Sequence, residues 1–586
     1  MPSFMFILWI SFGLGIAWTV YSGLCLYRNY VEAAKIGVPI RIIPIDHLNK
    51  LWLLVDKQVV SVVRRLPGVL GKNNFTRFNY RGWHEHDGTR AHDEMGEAFV
   101  LVTPCHNWLY IADTDALMSM YRRGKDFPRW VEITKMLDVF GGPNIATASG
   151  EHWRMHRKVI NSCLDEKCNE LVWSEAVLLG DEMARYWASK GVFMSVGEDT
   201  RTVSLHVLSR ACFGQSFAFE GYDERLPTSP SASFRFSLLT VMEGALLILA
   251  LGPSLFMNPW LPLPHSWRII GEACAKFKGH MTYLYNQKFR ALSEGHLEEE
   301  TTLMTSLIRE SQGKGDGKGL TEAEIYGTMF VVSFAGHDTT AHLLTFAIFF
   351  LAANPSIQDW LAQELRHVLG DKPRQEWDYH ADFPRLKRCM AILYETLRLK
   401  TLVAEVKWTS NNLQCLDIGD RTAMIPPRTL LIPSYKYVHQ HPKYWGPNAQ
   451  KWIPNRWIGE AKGNETSKPA VAVQTQNIVE QDEDLKRQNV GDDEILLPPP
   501  SRGNYLGWSR GARDCPGKKF SKVEWVAILA ALFRDWKVEP RLLENETFAE
   551  ARTRTLDFIE KETDYGGLLL QLMHPEKLPL VWSHRR

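Results

Sequence analysis

Near its C-terminal end the chain reads Trp508-Ser509-Arg510-Gly511-Ala512-Arg513-Asp514-Cys515-Pro516-Gly517. No other run constrains the chain as much, because one cysteine sits among two glycines and an arginine at fixed offsets. A thiolate is a strong axial ligand for haem iron and pushes electron density onto the metal. Gly517 removes a Cβ where backbone has to lie close to a flat macrocycle. Gly511 permits a tight bulge just before the ligand. Arg513 supplies a fixed charge suited to a porphyrin propionate. The alternative is a turn of mixed polarity around a buried cysteine, which behaves as a small hydrophobe.

Composition narrows the setting. The 586 residues suffice for several domains or for one large catalytic domain. A net charge of +1 gives no bulk signal for nucleic acid, and none is expected as a partner. An apolar content of 45% with 21 Trp suits a large core with apolar pockets. The nine cysteines include no C-x-x-C pair, which argues against a zinc ribbon or a disulfide framework and suits a reducing compartment.

From Met1 to Tyr27 there is no charged residue. Residues 4–26 are long and apolar enough to be expected as a transmembrane anchor. Arg28, Lys35 and Arg41 follow the stretch and no basic residue precedes it, so the positive-inside rule puts the rest of the chain in the cytosol. A cleaved signal would have a basic start and a shorter apolar core. On the cytosolic reading the sequons at Asn74, Asn464 and Asn545 are accidents; on a lumenal one they would be glycosylated.

Residues 27–65 read as a linker and membrane-proximal segment, and 66–586 as the catalytic domain. Leu51 to Val63 is broken by Asp56 and Lys57, and fits an interfacial helix or a core helix. Most later segments carry helical periodicity with short β-like runs between them, which predicts a mainly α fold with small β-sheets. Leu238 to Leu251 is interrupted by Glu243 and followed by Pro253, so it fits a helix and loop roofing a pocket or touching a membrane, not a second span. Gly313 to Gly319 lacks the strand and the Gly-Lys-Ser/Thr end of a phosphate loop, and is expected to be a flexible loop. A capping box at Thr321 and Glu324 then opens a long apolar helix to about Ala353, stopped by Pro355. Residues 459–500 turn polar and end in Pro498-Pro499-Pro500, which reads as a disordered insertion within the catalytic domain.

Three further runs carry chemistry. The long helix contains Ala335-Gly336-His337-Asp338-Thr339-Thr340, whose Gly, Asp and Thr are locally unfavourable in an apolar helix. A kink with back-bonded threonines would account for them. So would proton delivery, since breaking an O–O bond heterolytically needs two protons in a site that excludes water. Glu395 and Arg398 share a helical face, and Arg456 follows in Trp452-Ile453-Pro454-Asn455-Arg456-Trp457. Trp153 and Arg157 also share a face, as do His152 and His156. That histidine pair has the spacing of a metal site but no obvious third ligand, and ordinary surface histidines are the commoner outcome. Arg154, Arg157 and Lys158 form a charged row that is either a docking face for an electron donor or a solvated face.

Together these runs resemble the cytochrome P-450 superfamily, in the superfamily's order, from about residue 150 to 520. The cysteine loop matches Phe-x-x-Gly-x-Arg-x-Cys-x-Gly at Gly511, Arg513, Cys515 and Gly517, with Trp508 in place of Phe. The resemblance implies the superfamily's helical fold and haem b held by Cys515, with Trp153, Arg157 and Arg513 at the propionates. It implies that Gly336 opens a groove for O2, that Thr339 hydrogen-bonds the bound oxygen, and that Asp338 helps relay protons. It implies a structural role for Glu395, Arg398 and Arg456, a buried network that fixes the backbone around the haem loop. No strand–G-x-G-x-x-G–helix unit is found, so electrons are expected from NADPH through a separate flavoprotein reductase on the same endoplasmic reticulum membrane.

The expected activity is a monooxygenase inserting one oxygen atom of O2 into a lipophilic small molecule. In general look the chain is similar to members serving specialised-metabolite pathways in fungi. Pocket lining is expected from Phe127 to Asn144, Leu238 to Trp260, Met329 to Phe334 and Leu402 to Val406. Glu405 fits either a polar substrate group or a solvent-exposed strand. Two other classes stay open: a haem-thiolate isomerase or dehydratase needing no reductase, and a non-enzymatic membrane haem binder. The Asp338-Thr339 pair speaks against both.

Overall fold

The structure is a computed structural model. It describes every residue except Met1, 222–229, Pro259, 296–301, 313–318, Ala404, 461–493, Ser501 and Arg586, with backbone alone at 2–12, 133, 136, 230–232, 249 and 460. Two compact units divide the chain. The first comprises Met1–Ile133, Ala404–Tyr444 and Ser501–Ala512, and the second Thr134–Val403, Trp445–Pro500 and Arg513–Arg586.

The first unit is built on a five-stranded sheet, in the order Ile40–Ile42, Ala98–Val102, Asn107–Ile111, Thr429–Pro433 and Lys407–Trp408. Its pairings run parallel, antiparallel, parallel and antiparallel. The two adjacent strands Ala98–Val102 and Asn107–Ile111 are apolar at nearly every position because both faces are covered. Alternate residues go to opposite sides: Val100, Leu109 and Leu431 join a core with Ala33, Met120 and Phe127, while Phe99, Leu101, Trp108 and Tyr110 join one with Trp52, Phe78 and Trp83. Phe127, expected in a pocket wall, is therefore core, fully buried beneath the Arg123 guanidinium.

Helix Pro2–Ala34 spans the expected anchor at 4–26, whose first part lies outside the described side chains. Among the described residues no single helix is long and apolar enough to cross a membrane. Helix Trp52–Val63 buries Trp52, Leu53 and Val60 and exposes Val55, Val59 and Val62. Its Asp56 points inward and accepts the Arg81 backbone N–H at 2.6 Å.

The second unit is mostly helical. Helix Glu322–Ala353 begins at the capping box formed by Thr321 and Glu324, and is apolar all round because it is buried all round. Helices Gly150–Cys163, Glu166–Lys190, Val196–Phe213, Lys387–Leu399 and Lys518–Phe533 surround the site described below. Helices Glu166–Lys190 and Lys518–Phe533 touch at Gly180, where a Cβ would come within 3.0 Å of Ala531. A three-stranded sheet and the hairpin Thr563–Gly566/Leu569–Leu572 complete the unit's longer β structure.

One expectation about this unit needs correction. Leu238–Leu251, expected as a helix and loop, divides at Gly244 between helices Pro230–Glu243 and Ala245–Leu251. Residues 459–500 are not polar insertion throughout, since Glu494–Leu496 pairs antiparallel with Ile458–Glu460, and Glu494 holds the buried Arg388 at 2.6 Å. The strand is too short for periodicity to reveal. The remainder of that stretch, 461–493, and the glycine-rich run at 313–318 lie outside the described residues. The fold is mainly helical with small sheets.

Candidate active site

The cysteine loop turns sharply before Cys515. Ser509 and Gly511 have φ of 61° and 82°, and a Cβ on Gly511 would meet the Tyr121 carbonyl oxygen at 3.0 Å. Glycine is required there by both backbone and space. In the same unit the Ser509 hydroxyl donates to Glu405. Glu405 is neither solvent-exposed nor aimed at an open face. It is buried beside Lys407 Nζ at 2.9 Å and Arg129 Nη2 at 3.3 Å, so the sequence expectation for it is corrected. Burial pushes its carboxyl up, but Arg129 and Lys407 outweigh that and hold it below the usual range. Trp508 is half-buried, 6.5 Å from the Tyr505 ring, which stacks on His439. His439 Nε2 accepts the Leu506 N–H at 2.8 Å, fixing the stem of the loop.

The second half of the loop belongs to the second unit. Cys515 is an exposed thiol three residues before the start of helix Lys518–Phe533, whose N-terminal N–H groups favour a thiolate. Gly517 has ordinary negative φ, and a Cβ there would meet only the Cys515 sulfur, at 3.9 Å. Its lack of a side chain leaves open space instead of relieving the backbone. Arg157 reaches the loop from helix Gly150–Cys163 and donates to the Asp514 carbonyl at 2.6 Å and carboxylate at 2.8 Å. Arg513 donates to the Ala148 carbonyl at 2.8 Å and lies 4.7 Å over the Trp153 ring. Trp153, Arg157 and Arg513 are thus gathered at the cysteine loop.

The long helix Glu322–Ala353 opens on one face only. Ala335 is exposed and Val332, Gly336 and Thr339 are half-buried, three and four residues apart, while Phe334, His337, Asp338 and Thr340 are buried. Thr339 Oγ1 sits on the open stripe and donates back to the Ala335 carbonyl at 2.8 Å. Gly336, on the open stripe, also meets a neighbouring helix. A Cβ there would strike Leu208 Cδ1 at 2.7 Å, so the missing side chain admits that helix.

Asp338 points the other way, into the protein. Its Oδ1 is 3.1 Å from Arg201 Nε and 3.3 Å from His342 Nε2, and Arg201 also donates to Gln571 Oε1 at 3.0 Å. Burial pushes the Asp338 carboxyl up, but His342 and Arg201 more than offset it and hold it well below the usual carboxylate range. Arg201 and Gln571 lie far from Asp338 in the sequence, His342 lies four residues after it on the same helix, and none of the three was anticipated. Arg201 sits among Glu198, Asp199, Thr200 and Thr202 in helix Val196–Phe213, so local sequence does not mark it out, whereas His342 at i+4 from Asp338 carried a signal.

Glu395 lies in a closed network. Both its oxygens accept from Arg398 at 2.8 Å, and Arg456 Nε, the Ile453 N–H and Trp457 Nε1 donate at 3.0, 2.8 and 3.0 Å. Trp457 stands where the superfamily more often has Phe, and its indole supplies a donor that Phe lacks. His152 and His156 do share a partner, but it is Glu324: His152 Nδ1 lies at 3.2 Å and His156 Nε2 at 3.8 Å. They brace the start of the long helix, and no metal-binding group is found among the described residues.

The site's chemistry can be tested against a haem. An exposed thiol at a helix start, two guanidiniums beside an indole, open space at Gly517, and a buried helix bared at Ala335 and Thr339 suit a thiolate-ligated macrocycle carrying two carboxylates. The residues fit. That donor set marks the haem-thiolate class of proteins.

The comparisons with known proteins agree. The chain belongs to the cytochrome P450 family, whose model, Cytochrome P450, matches residues 76–556. A cytochrome P450 monooxygenase of Arthrobotrys oligospora is 26% identical over 98% of this chain and 98% of its own length. A phomenoic acid biosynthesis cluster cytochrome P450 monooxygenase of Leptosphaeria maculans is 25% identical over 92% of this chain and 93% of its own. One of Penicillium roqueforti is 24% identical over 86% and 87%. The protein is a monooxygenase of this family.

Proposed function

We propose that the protein oxidises a bulky lipophilic small molecule of specialised metabolism, taking electrons from NADPH through a separate flavoprotein reductase, while anchored in the endoplasmic reticulum membrane by residues 4–26 with the catalytic part in the cytosol. The observation that carries the reading is the pairing of the Cys515 loop with an open, hydroxyl-bearing stripe on an otherwise buried helix. Haem bound at Cys515 supplies the activation of O2. The chain's own residues do the rest.

The thiolate of Cys515 is favoured by the helix N-terminus behind it. Arg157 and Arg513 orient and neutralise the carboxylates of the bound group. Thr339 Oγ1 donates to Ala335 at rest, which leaves its lone pairs for the open face, where the hydroxyl accepts and passes a proton. Asp338 is a charged carboxylate at rest. It takes a proton when Arg201 or His342 swings away, so the ion pair meters proton entry to the Thr339 side. The buried rings of Phe140, Phe234, Phe277 and Phe330, with centroids 5.0–5.9 Å apart, support an apolar substrate. The kinship with the Leptosphaeria maculans relative, named for a biosynthesis cluster, supports a specialised metabolite.

The test is the carbon monoxide difference spectrum of the reduced protein in microsomes, followed by reductase-supported turnover on a panel of lipophiles. A strongly red-shifted Soret band that disappears in Cys515→Ala, with NADPH-dependent product, is expected. Product without reductase would favour an isomerase or dehydratase, and an unshifted band would remove Cys515 as ligand. Loss of microsomal retention on deleting residues 1–34 would bear out the anchor.

A further inference from the structure

Ser509 lies in the cysteine loop with its backbone in the left-handed region, at φ of 61°. An L side chain is disfavoured there because its Cβ crowds the following carbonyl, and glycine is the usual occupant. A serine in that conformation persists only where its surroundings over-determine it.

Three contacts do so. The Ser509 N–H donates to the Leu506 carbonyl at 2.9 Å and closes a turn. Leu506 is itself fixed, its N–H donating to His439 Nε2 at 2.8 Å. Those two backbone bonds would serve any residue at 509. The third does not: the Ser509 hydroxyl donates to Glu405 Oε2.

Glu405 is in turn held so that it faces Ser509. Its other oxygen, Oε1, lies 2.9 Å from Lys407 Nζ and 3.3 Å from both Nε and Nη2 of Arg129. One oxygen serves the cations and the other serves the hydroxyl. The segments carrying the two cations are joined by backbone: the Trp130 N–H donates to the Val406 carbonyl and the Trp408 N–H to the Pro128 carbonyl, each at 3.1 Å. Lys407 Nζ also lies 5.3 Å over the ring of Tyr121, whose carbonyl oxygen is the atom a Cβ on Gly511 would meet. The same buried ion cluster therefore borders the loop at both of its left-handed residues, Ser509 and Gly511.

We infer that Glu405 is a positioning residue for the cysteine loop: through the Ser509 hydroxyl it holds a strained left-handed turn and so steadies the chain that leads to Cys515. It acts through Ser509 and the backbone, not on substrate. The consequence for the thiolate rests on the reading of Cys515 as the ligand; the held strain does not.

The experiment compares Ser509→Ala with Ser509→Gly in the haem-loaded protein. It reads how fast the red-shifted carbon monoxide band converts to the unshifted one on warming, together with the melting temperature. Both variants leave the Glu405 ion pairs in place. Alanine loses the hydroxyl and keeps the steric penalty, whereas glycine loses both. Ser509→Ala should convert several-fold faster than the parent and melt lower. Ser509→Gly should convert and melt like the parent. Glu405→Gln, which gives up the charge that binds it to Arg129 and Lys407, should speed conversion in the parent background and add little in Ser509→Gly. Either arm decides alone if a variant of the other does not accumulate. Conversion in Ser509→Ala as slow as the parent's would overturn the proposal, and so would Ser509→Gly converting as fast as Ser509→Ala. Equal acceleration by Glu405→Gln in the two backgrounds would do the same. A parent without the red-shifted band would remove Cys515 as ligand, and the melting order would still test the strain: Ser509→Ala below Ser509→Gly upholds it, and equal melting overturns it.

Discussion

The carboxylates of Glu395 and Asp338 are both buried, both charged and both held by arginine, yet their surroundings differ. Around Glu395 the donors are two arginines, a backbone N–H and an indole N–H, and every group in the set is sealed from solvent. Around Asp338 one arginine and one histidine converge on a single oxygen, at 3.1 and 3.3 Å, beside a helix face that opens at Ala335 and Thr339. A fully satisfied network has one arrangement and fixes backbone; a sparsely satisfied one has neighbours that can let go. On the function proposed above, the first belongs to the architecture that holds the cysteine loop and the second to the handling of protons.

That contrast breaks most easily at Glu395. Its removal in Glu395→Ala strands two buried guanidiniums and should cost about 3–5 kcal/mol, the range for breaking a buried ion pair. Thermal melting and haem content should both collapse. A variant that folded and bound haem normally would show that the closed network is dispensable. Asp338→Asn should do the opposite. It retains an acceptor for Arg201 and should melt within a few degrees of the parent, while turnover falls about 10²-fold or more, the usual share of a positioned acid–base group. Equal losses of stability and of turnover in the two variants would erase the distinction.

Sequence spacing reached some of this and missed the rest for physical reasons. Cys515, Arg513 and Gly511 were legible because ligand, charge and turn must occur at fixed offsets along one loop. Glu395 and Arg398 were legible because a helix places residues three apart on one face. Glu405 was not, since its partners Arg129 and Ser509 come from distant parts of the chain and only folding joins them. Arg201 escaped for the same reason, whereas His342, four residues after Asp338 on one helix, was within reach of spacing and was overlooked. The approach of Leu208 to Gly336 was not legible either: local sequence cannot say on which side of a buried helix a residue of another helix lies. The sheet's two-sided burial and the strand Glu494–Leu496 were likewise set by tertiary pairing.

A milder test of the closed network uses its departure from the superfamily pattern. Trp457→Phe removes one donor to Glu395 and keeps an aromatic ring in a fully buried position. A hydrogen bond to a charged group is worth about 1.5–3 kcal/mol, so melting should drop by a few degrees with the thiolate spectrum and turnover intact. Were turnover to fall while melting stayed put, the network would be acting on chemistry and not only on architecture.

The smallest effect comes from two buried acids whose burial outweighs the groups around them. Glu524 and Glu364 are each pushed up, first by burial, to about 8 from the ordinary 4.5. Between those two values the unfolded chain has released each proton and the folded protein keeps it. Stability that is fully present below the lower value is therefore lost as pH rises toward the upper one. Glu524→Gln deletes one of these two contributions and leaves the other. Its melting temperature should fall less steeply than the parent's over that interval, and the two proteins should differ least at the acid end, where both carry an uncharged group at the position. Glu395 and Asp338 run the other way: held below the usual carboxylate range, they give stability that disappears only on acidification. Parallel pH profiles for parent and Glu524→Gln would mean that Glu524 is charged in the folded protein, and would place it with Glu395 and Asp338 after all.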